Sequence, residues 1–286
     1  MAIGRVDGEV TGLSGNLVQR LVLETVGQDR FIGRPPAVPA RIYGGELAAQ
    51  ALAAANATVA EDRVAHTLQC IYLAPGDPAY PLAHNVTRVR DGRSFSTRTV
   101  EVHNDSRLVL TATVGYHVPE SGLTHQLPMP TVPAPTELPT IAEADGHAWT
   151  RWTEQDPDIE MRAVPPDPSD PFGRRRFWCR VVADSAGDPR TQTALATYLS
   201  DLTMVSSIRL PHEPVDAKQY LMSTLSHSLY FHRHVRACDW HLVDHFSPVA
   251  AGGRGLALAH VFSSDGQLVM TAVQEGLVRP LPADYR

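Results

Sequence analysis

The sequence predicts an α+β protein made of two copies of one unit. Three observations predict it: stretches that recur in the same order at nearly constant spacing, one helix followed by a run of strands in each copy, and a Pro-rich stretch between the copies. "LVLTATV" (108–114) returns as "LVMTAVQ" (268–274), at an offset of 160 residues. "QCIYLA" (69–74) returns as "HSLYFH" (227–232) at 158, and "GRSFS" (92–96) as "GRGLA" (253–257) at 161. Aliphatic strands often look alike, so one match means little; three in order point to duplication. The expected division is 1–118 for the first copy, 119–150 for a Pro-rich linker and 151–286 for the second copy.

Each element has a local reason. The first copy opens with "ELAAQALAAANATVA" (46–60), an Ala-rich helix entered through Gly44 and Gly45. The runs "HTLQCIYLA", "LAHNVTRVR", "FSTRTVEVHN" and "LVLTATVGYHV" follow, rich in β-branched residues and separated by the turn sequences "PGDP", "DGR" and "NDSR". In the second copy Asp188 and Pro189 read as N-cap and first helical residue. The helix "RTQTALATYLSDLTMV" carries Ala194, Leu195, Tyr198, Leu199 and Leu202 on one stripe. Its strands are "STLSHSLYFHR", "WHLVDHFSPV", "GLALAHVFSS" and "LVMTAVQEGLVR". "PPDPSDP" (165–171) reads as a loop inside the second copy.

Composition narrows the function. The chain has 286 residues, 43% of them hydrophobic, enough for a sizeable core. A net charge of −6 without any basic run argues against a nucleic-acid partner. The three cysteines, Cys70, Cys179 and Cys238, are too few and too scattered for a disulfide scaffold or a zinc ribbon, which fits a reducing cytoplasm. The segment "MAIGRVDGEVTG" lacks the apolar core of a signal peptide, and no run approaches a membrane span. There is no GxSxG elbow, no GxGxxG and no P-loop. "HRH" (232–234), with His227, His241 and His245 nearby, could suggest a metal, with His232 and His234 on one face of a strand. No Cys or carboxylate stands at a ligand spacing, so strand histidines are the plainer reading. "RDGRSFS" and "GGRGLA" are candidate phosphate-binding turns or ordinary turns with an exposed Arg.

The polar residues that interrupt apolar elements say more. Asp201 sits in the apolar helix of the second copy, Thr224 opens a strand where the first copy has His66, and Gln274 stands where the first copy has Val114. A carboxylate and an amide in core elements are costly unless paired. They form either a structural network or a site that orients a water, the carboxylate taking a proton while hydroxyl and amide fix its position.

The sequence resembles the acyl-CoA thioesterase II family over about residues 20 to 280. "RIYGGELAAQAL", "YLAPGD", "RDGRSFSTR", "YLSDLTMV", "STLSHSLYFHR" and "GRGLALAHVFSSDGQLVMTAVQEGLVR" carry the resemblance by their order and spacing. It implies a tandem (double) hotdog fold, each half an antiparallel sheet wrapped around a central helix. It implies hydrolysis of medium- to long-chain acyl-CoA to fatty acid and coenzyme A, with Asp201, Thr224 and Gln274 as the catalytic trio and no metal or organic cofactor. Gly44 and Gly45 are candidates for an oxyanion contact, and Arg93 and Arg254 for the coenzyme A phosphates. A cytoplasmic homo-oligomer, a dimer or tetramer of double hotdogs without membrane insertion, is expected. The chain departs from the family pattern at Glu46, Ala74 and Ser226, where Gln, Arg and Asp are usual. Two other readings keep the fold: a non-catalytic acyl-CoA binding protein, and an enoyl-CoA hydratase using an Asp201/His227 pair.

Overall fold

The computed structural model describes residues 16–36, 41–140, 143, 156–170, 173–182, 187–212 and 216–282. The segment "MAIGRVDGEVTG", most of the far end of the expected linker, and Pro171 lie outside the described residues. The chain divides into two compact units. The first takes Met1–His125, Ala183–Tyr198 and His234–Arg236; the second takes Gln126–Val182, Leu199–Arg233 and Ala237–Arg286.

In the first unit a helical turn, α1 (Leu17–Arg20), precedes the hairpin β1 (Glu24–Gly27) and β2 (Arg30–Gly33). Helix α2 (Gly44–Asn56) and strands β3 (Val64–Tyr72), β4 (Leu82–Asp91), β5 (Phe95–Asn104) and β6 (Arg107–His117) follow. The spatial order is β1-β2-β4-β5-β6-β3, antiparallel throughout. Helix α2 packs on β2 to β6, burying Leu47, Ala48, Ala51, Leu52 and Ala55. Its alanines let helix and sheet approach closely. Burial of Leu47 and Leu52 contributes roughly 1.5–3 kcal/mol each.

The second copy repeats this order, with its helix grouped up to Tyr198 in the first unit and the rest in the second. Strands β7 (Ile159–Ala163) and β8 (Arg175–Val181) precede helix α3 (Pro189–Ser200). Strands β9 (Tyr220–Phe231), β10 (His241–Ala251), β11 (Arg254–Ser263) and β12 (Leu268–Pro280) complete the unit. The spatial order is β7-β8-β10-β11-β12-β9, the counterpart of the first, also antiparallel. This is the α+β double hotdog. The outer strands β1, β2, β7 and β8 have no counterpart in the sequence reading, because they run only four to seven residues without clear alternation.

Asp188 caps α3 as expected, accepting from the Thr191 N–H (3.0 Å) and hydroxyl (2.7 Å). The predicted helix is too long, however. It ends at Ser200, and Asp201 begins the turn beyond it. The reason is local: Thr203 takes a left-handed conformation (φ 58), which no continuing helix allows. The chain then tightens into 3-10 turns over Val205–His212. Likewise β9 stops at Phe231, so His232 and His234 do not share a strand; His232 Nε2 meets the Thr271 hydroxyl at 2.9 Å.

A side cluster of Leu138, Trp178, Leu242 and Phe262 anchors part of the Pro-rich stretch to the second unit. Met129 and Val132 pack on it, and the Trp178 indole donates to the Pro133 carbonyl at 3.0 Å. The Gln126 amide brackets the β11–β12 turn, donating to Gly266 O and accepting from Leu268 N.

Candidate active site

Strand register decides which side chains can meet, because directly paired residues point to the same face. Gln274 pairs with His227 on one side and Ala257 on the other. One step on, Glu275 pairs with Ser226; then the register slips, and Gly276 pairs with Thr224. Leu225 is the extra residue of a β-bulge. Without it Thr224, three residues from His227, would face away from it. With it Thr224 shares the face of Gln274, His227 and Gly276. Ser226 lies on the opposite face, across from Glu275.

Two paired glycines bring the next layer down onto this face. A Cβ on Gly276 would stand 2.7 Å from Val205 Cγ2, and one on Gly255 would overlap Ile208 Cγ2. Their absence lets the 3-10 segment lie against the sheet. Thr203 O accepts from the Ser206 hydroxyl (2.6 Å) and the Ser207 hydroxyl (3.3 Å), and Ser207 Oγ meets His245 Nδ1 at 3.2 Å. These bonds fix the turn that carries Asp201.

The result is a buried polar chain. Gln274 Nε2 donates to Asp201 Oδ1 at 2.5 Å, and the same nitrogen lies 3.3 Å from His227 Nδ1. His227 Nε2 lies 2.8 Å from Ser200 Oγ. His227 and Gln274 are fully buried, and Asp201 is 6% exposed. Burial lowers the His227 pKa to about 4, so the ring is neutral near pH 7. An amide N–H can only donate, so Nδ1 is the acceptor, the ring proton sits on Nε2, and Ser200 accepts it. Asp201 stands just past the C-terminal end of α3, where the helix dipole disfavours negative charge. The Gln274 amide offsets this with a charge-assisted hydrogen bond.

The structure therefore brings Asp201 and Gln274 into contact and sets Thr224 on their face. Among the described residues no direct hydrogen bond joins Thr224 to Gln274. Two members of the network stand outside the expected trio: Ser200, which the sequence did not single out, and His227, which it named for the hydratase alternative. Ser200 carries no signal of its own at a helix end; the sequence match sets His227 against Gln69, so the exchange with an apolar residue shows only in the strand register.

Register also corrects the alignment of the copies. Val114 pairs with Leu68 and Arg98, and Gln274 with His227 and Ala257. His227 thus answers Leu68, and Thr224 answers Ala65 rather than His66. The tips "GRSFS" and "GRGLA" mislead because the first hairpin turn is longer: Asp91 pairs with Ser96, whereas Ala251 pairs with Arg254.

The other candidates have definite surroundings. Glu46 is fully buried in the first unit, where Arg20 Nε meets Oε2 at 3.1 Å and Gln50 Nε2 donates to Oε1 at 2.7 Å. Its charge is compensated there. Gly44 begins α2, and a Cβ on Gly45 would stand 2.6 Å from Tyr198 O. Arg93 is exposed, and Arg254 pairs with Glu275 at 3.0 Å. A cavity of about 280 Å³ in the second unit is lined by Ile208, Arg209, Tyr220, Arg254, Val278 and Pro280 among others. Val278 shares the face of Gln274, about 13 Å along β12. Among the described residues no group of three or more His, Cys, Asp or Glu could hold a metal.

Comparison with known proteins agrees with this architecture. Family models described as the acyl-CoA thioesterase N-terminal domain and C-terminal domain match residues 34–117 and 130–278. Human acyl-coenzyme A thioesterase 8 is 34% identical over 282 residues, covering 92% of this chain and 88% of that protein. Acyl-CoA thioesterase 2 of Haemophilus influenzae is 32% identical, covering 94% and 99%. The crystal structure of the acyl-CoA thioesterase II TesB2 of Mycobacterium marinum superposes with a TM-score of 0.79 at 29% identity, covering 94% of this chain and 99% of that one.

Proposed function

The chain belongs to the acyl-CoA thioesterase II family and hydrolyses acyl-CoA thioesters; we propose that its substrates are medium- to long-chain acyl-CoA and that Asp201, Thr224 and Gln274 hold the attacking water. The observation that carries the site assignment is the buried hydrogen bond from Gln274 Nε2 to Asp201. It places a carboxylate, which can accept a proton, where an amide fixes its direction.

In this mechanism Asp201 takes a proton from the water as its oxygen attacks the thioester carbonyl carbon. Thr224 and Gln274 hold that water by hydrogen bonds. The tetrahedral intermediate collapses with cleavage of the C–S bond. The coenzyme A thiolate leaves and recovers the proton from Asp201, and the carboxylic acid is released. No acyl-enzyme forms. Ala257, Ala259 and Ala272 share the face of Gln274, and their small side chains favour an acyl chain beside the site. Arg254, at the rim of the cavity beyond Val278, remains the candidate for a coenzyme A phosphate.

Enoyl-CoA hydration by an Asp201/His227 pair finds no support, because His227 engages Ser200 with one nitrogen and Gln274 with the other. A cytoplasmic location is proposed on the cysteines, three in number and too scattered for a disulfide scaffold. Assembly into a homo-oligomer is proposed on exposed edges such as β1, and size-exclusion chromatography tests it.

The test of function is release of free thiol from acyl-CoAs of increasing chain length, with wild type and Asp201→Asn side by side. Hydrolysis of the longer members that vanishes in the variant supports the reading. Equal activity in the variant removes Asp201 from the mechanism, and tight acyl-CoA binding without turnover favours a binding protein.

A further inference from the structure

We propose that His227 is a positioning residue that sets which way the Gln274 amide faces, so that Gln274 Oε1 is presented as an acceptor to the attacking water. The proposal rests on the reading that Asp201 and Gln274 handle that water.

A glutamine amide has two faces of opposite chemistry, and rotation by half a turn exchanges them. Here both neighbours of the nitrogen are acceptors: Asp201 Oδ1 at 2.5 Å and His227 Nδ1 at 3.3 Å. The reversed amide would set Oε1 against a carboxylate oxygen and an imidazole lone pair, and neither can donate. Asp201 alone would favour the observed direction, but a carboxylate that takes up the water's proton becomes a donor. At that moment it no longer selects one amide orientation. The neutral imidazole does, since its Nδ1 lone pair stays toward the amide while Ser200 Oγ, 2.8 Å from Nε2, can accept the ring proton on the far nitrogen. His227 thus keeps the amide fixed through the step in which Asp201 changes its hydrogen-bonding character.

The second observation concerns the other end of the amide. Gln274 Oε1 is buried, and among the described residues it has no hydrogen-bond partner. Buried acceptors in native proteins are almost always satisfied. An unsatisfied one, next to a carboxylate and on the face of Thr224, is suited to a guest donor, and a water is the smallest guest that fits the reaction. The two copies support the coupling. Where the second has His227 paired with Gln274, the first has Leu68 paired with Val114, so both polar residues are absent together.

The experiment is a double-mutant cycle. His227→Leu and Gln274→Val, singly and combined, are compared by kcat, KM and thermal melting. We expect His227→Leu to lower kcat about 30-fold, less than the roughly 10²–10³-fold lost with a directly acting preorganised donor, with KM little changed. On the Gln274→Val background the same substitution should cost under threefold, because the amide it positions is gone. An equal loss on both backgrounds would overturn the proposal and make His227 a packing residue only. Ser200→Ala, which frees the ring tautomer with little change in volume, should lower kcat several-fold in the same sense. The side-chain amide resonances of Gln274 give a readout independent of turnover: they should shift or broaden in His227→Leu, and unchanged resonances would also overturn the proposal. Should the wild type hydrolyse no acyl-CoA, the proposed function falls, while the resonances still decide whether His227 orients the amide.

Discussion

The two copies share one topology, yet the same buried layer is filled by large side chains in one and by small and polar ones in the other. At equivalent strand positions the first unit carries Leu68, Val114, Arg98 and Tyr116, and the second His227, Gln274, Ala257 and Gly276. Arg98 and Tyr116 are among the largest fully buried side chains of the protein. Arg98 bonds the Thr58 hydroxyl and carbonyl, the Arg90 and Thr97 carbonyls and the Asp91 carboxylate. Tyr116 donates to Asn56 Oδ1, at the last residue of α2, at 2.9 Å. In the second unit the last helical residue is Ser200, bonded to His227, and an alanine and a glycine replace the two plugs. Duplication supplied two similar frames. The same layer became a satisfied core in one and a polar site with an unpartnered acceptor in the other.

The contrast can be broken from either side. The largest effect is expected from Asp201→Asn, which removes the proposed proton acceptor: kcat should fall about 10³-fold, while the melting temperature stays within a few degrees. Thiol release and a thermal scan check it, and an equal collapse of both would mark Asp201 as structural. Next comes Gln274→Val, which copies the first unit. It should cost about 10²-fold in kcat and roughly 1–3 kcal/mol of stability, since the buried Asp201 carboxylate and His227 Nδ1 lose their donor. The reverse change, Val114→Gln, should cost roughly 1–3 kcal/mol of stability without altering turnover per folded molecule.

Unsealing the first unit should do the opposite of disabling the second. Arg98→Leu leaves three carbonyls and the Thr58 hydroxyl without their donor, and should lower unfolding free energy by about 2–3 kcal/mol with kcat unchanged. Denaturant titration beside an activity assay reads both. A fall in kcat at constant folded fraction would show that the first copy contributes chemistry as well.

The smallest expected effect is on pH dependence. Burial lowers His84 in the first unit to about 4, His227 to about 4 and His245 to about 3. A histidine whose folded pKa is depressed binds its proton more readily when unfolded, so its burial costs nothing above pH about 6.5 and destabilises progressively down to its folded pKa. Stability should therefore fall between pH 6.5 and about 4. The units trade these residues: His84 stands where the second has Val243, and His245 where the first has Val86. His84→Val should flatten the slope by at most about 1.4 kcal/mol per pH unit. An unchanged slope would show that His84 is solvated in the folded protein.

Much of this was legible before any coordinates. Periodicity and turn chemistry locate α2, α3 and the long strands, because those signals act within a few residues. The Asp188 cap is local in the same sense. Asp201 and Gln274 stand out because a carboxylate and an amide in apolar elements need a reason. The short strands β1, β2, β7 and β8 lack enough residues to show a period.

What the sequence determined by itself is the duplicated α+β frame and the residue types able to move a proton, since hydrophobic pattern and chemical identity are properties of the chain. Only the tertiary structure decided which of them meet. The bulge at Leu225 turns Thr224 to the face of Gln274, the left-handed Thr203 ends α3 so that Asp201 lies in a turn, and Ser200 meets the far nitrogen of His227. The role of Arg98 was hidden for the same reason. A charged residue beside a turn reads as exposed, and only the paired strands show it filling the core where the second copy has Ala257, because side-chain direction depends on register with residues distant in the chain.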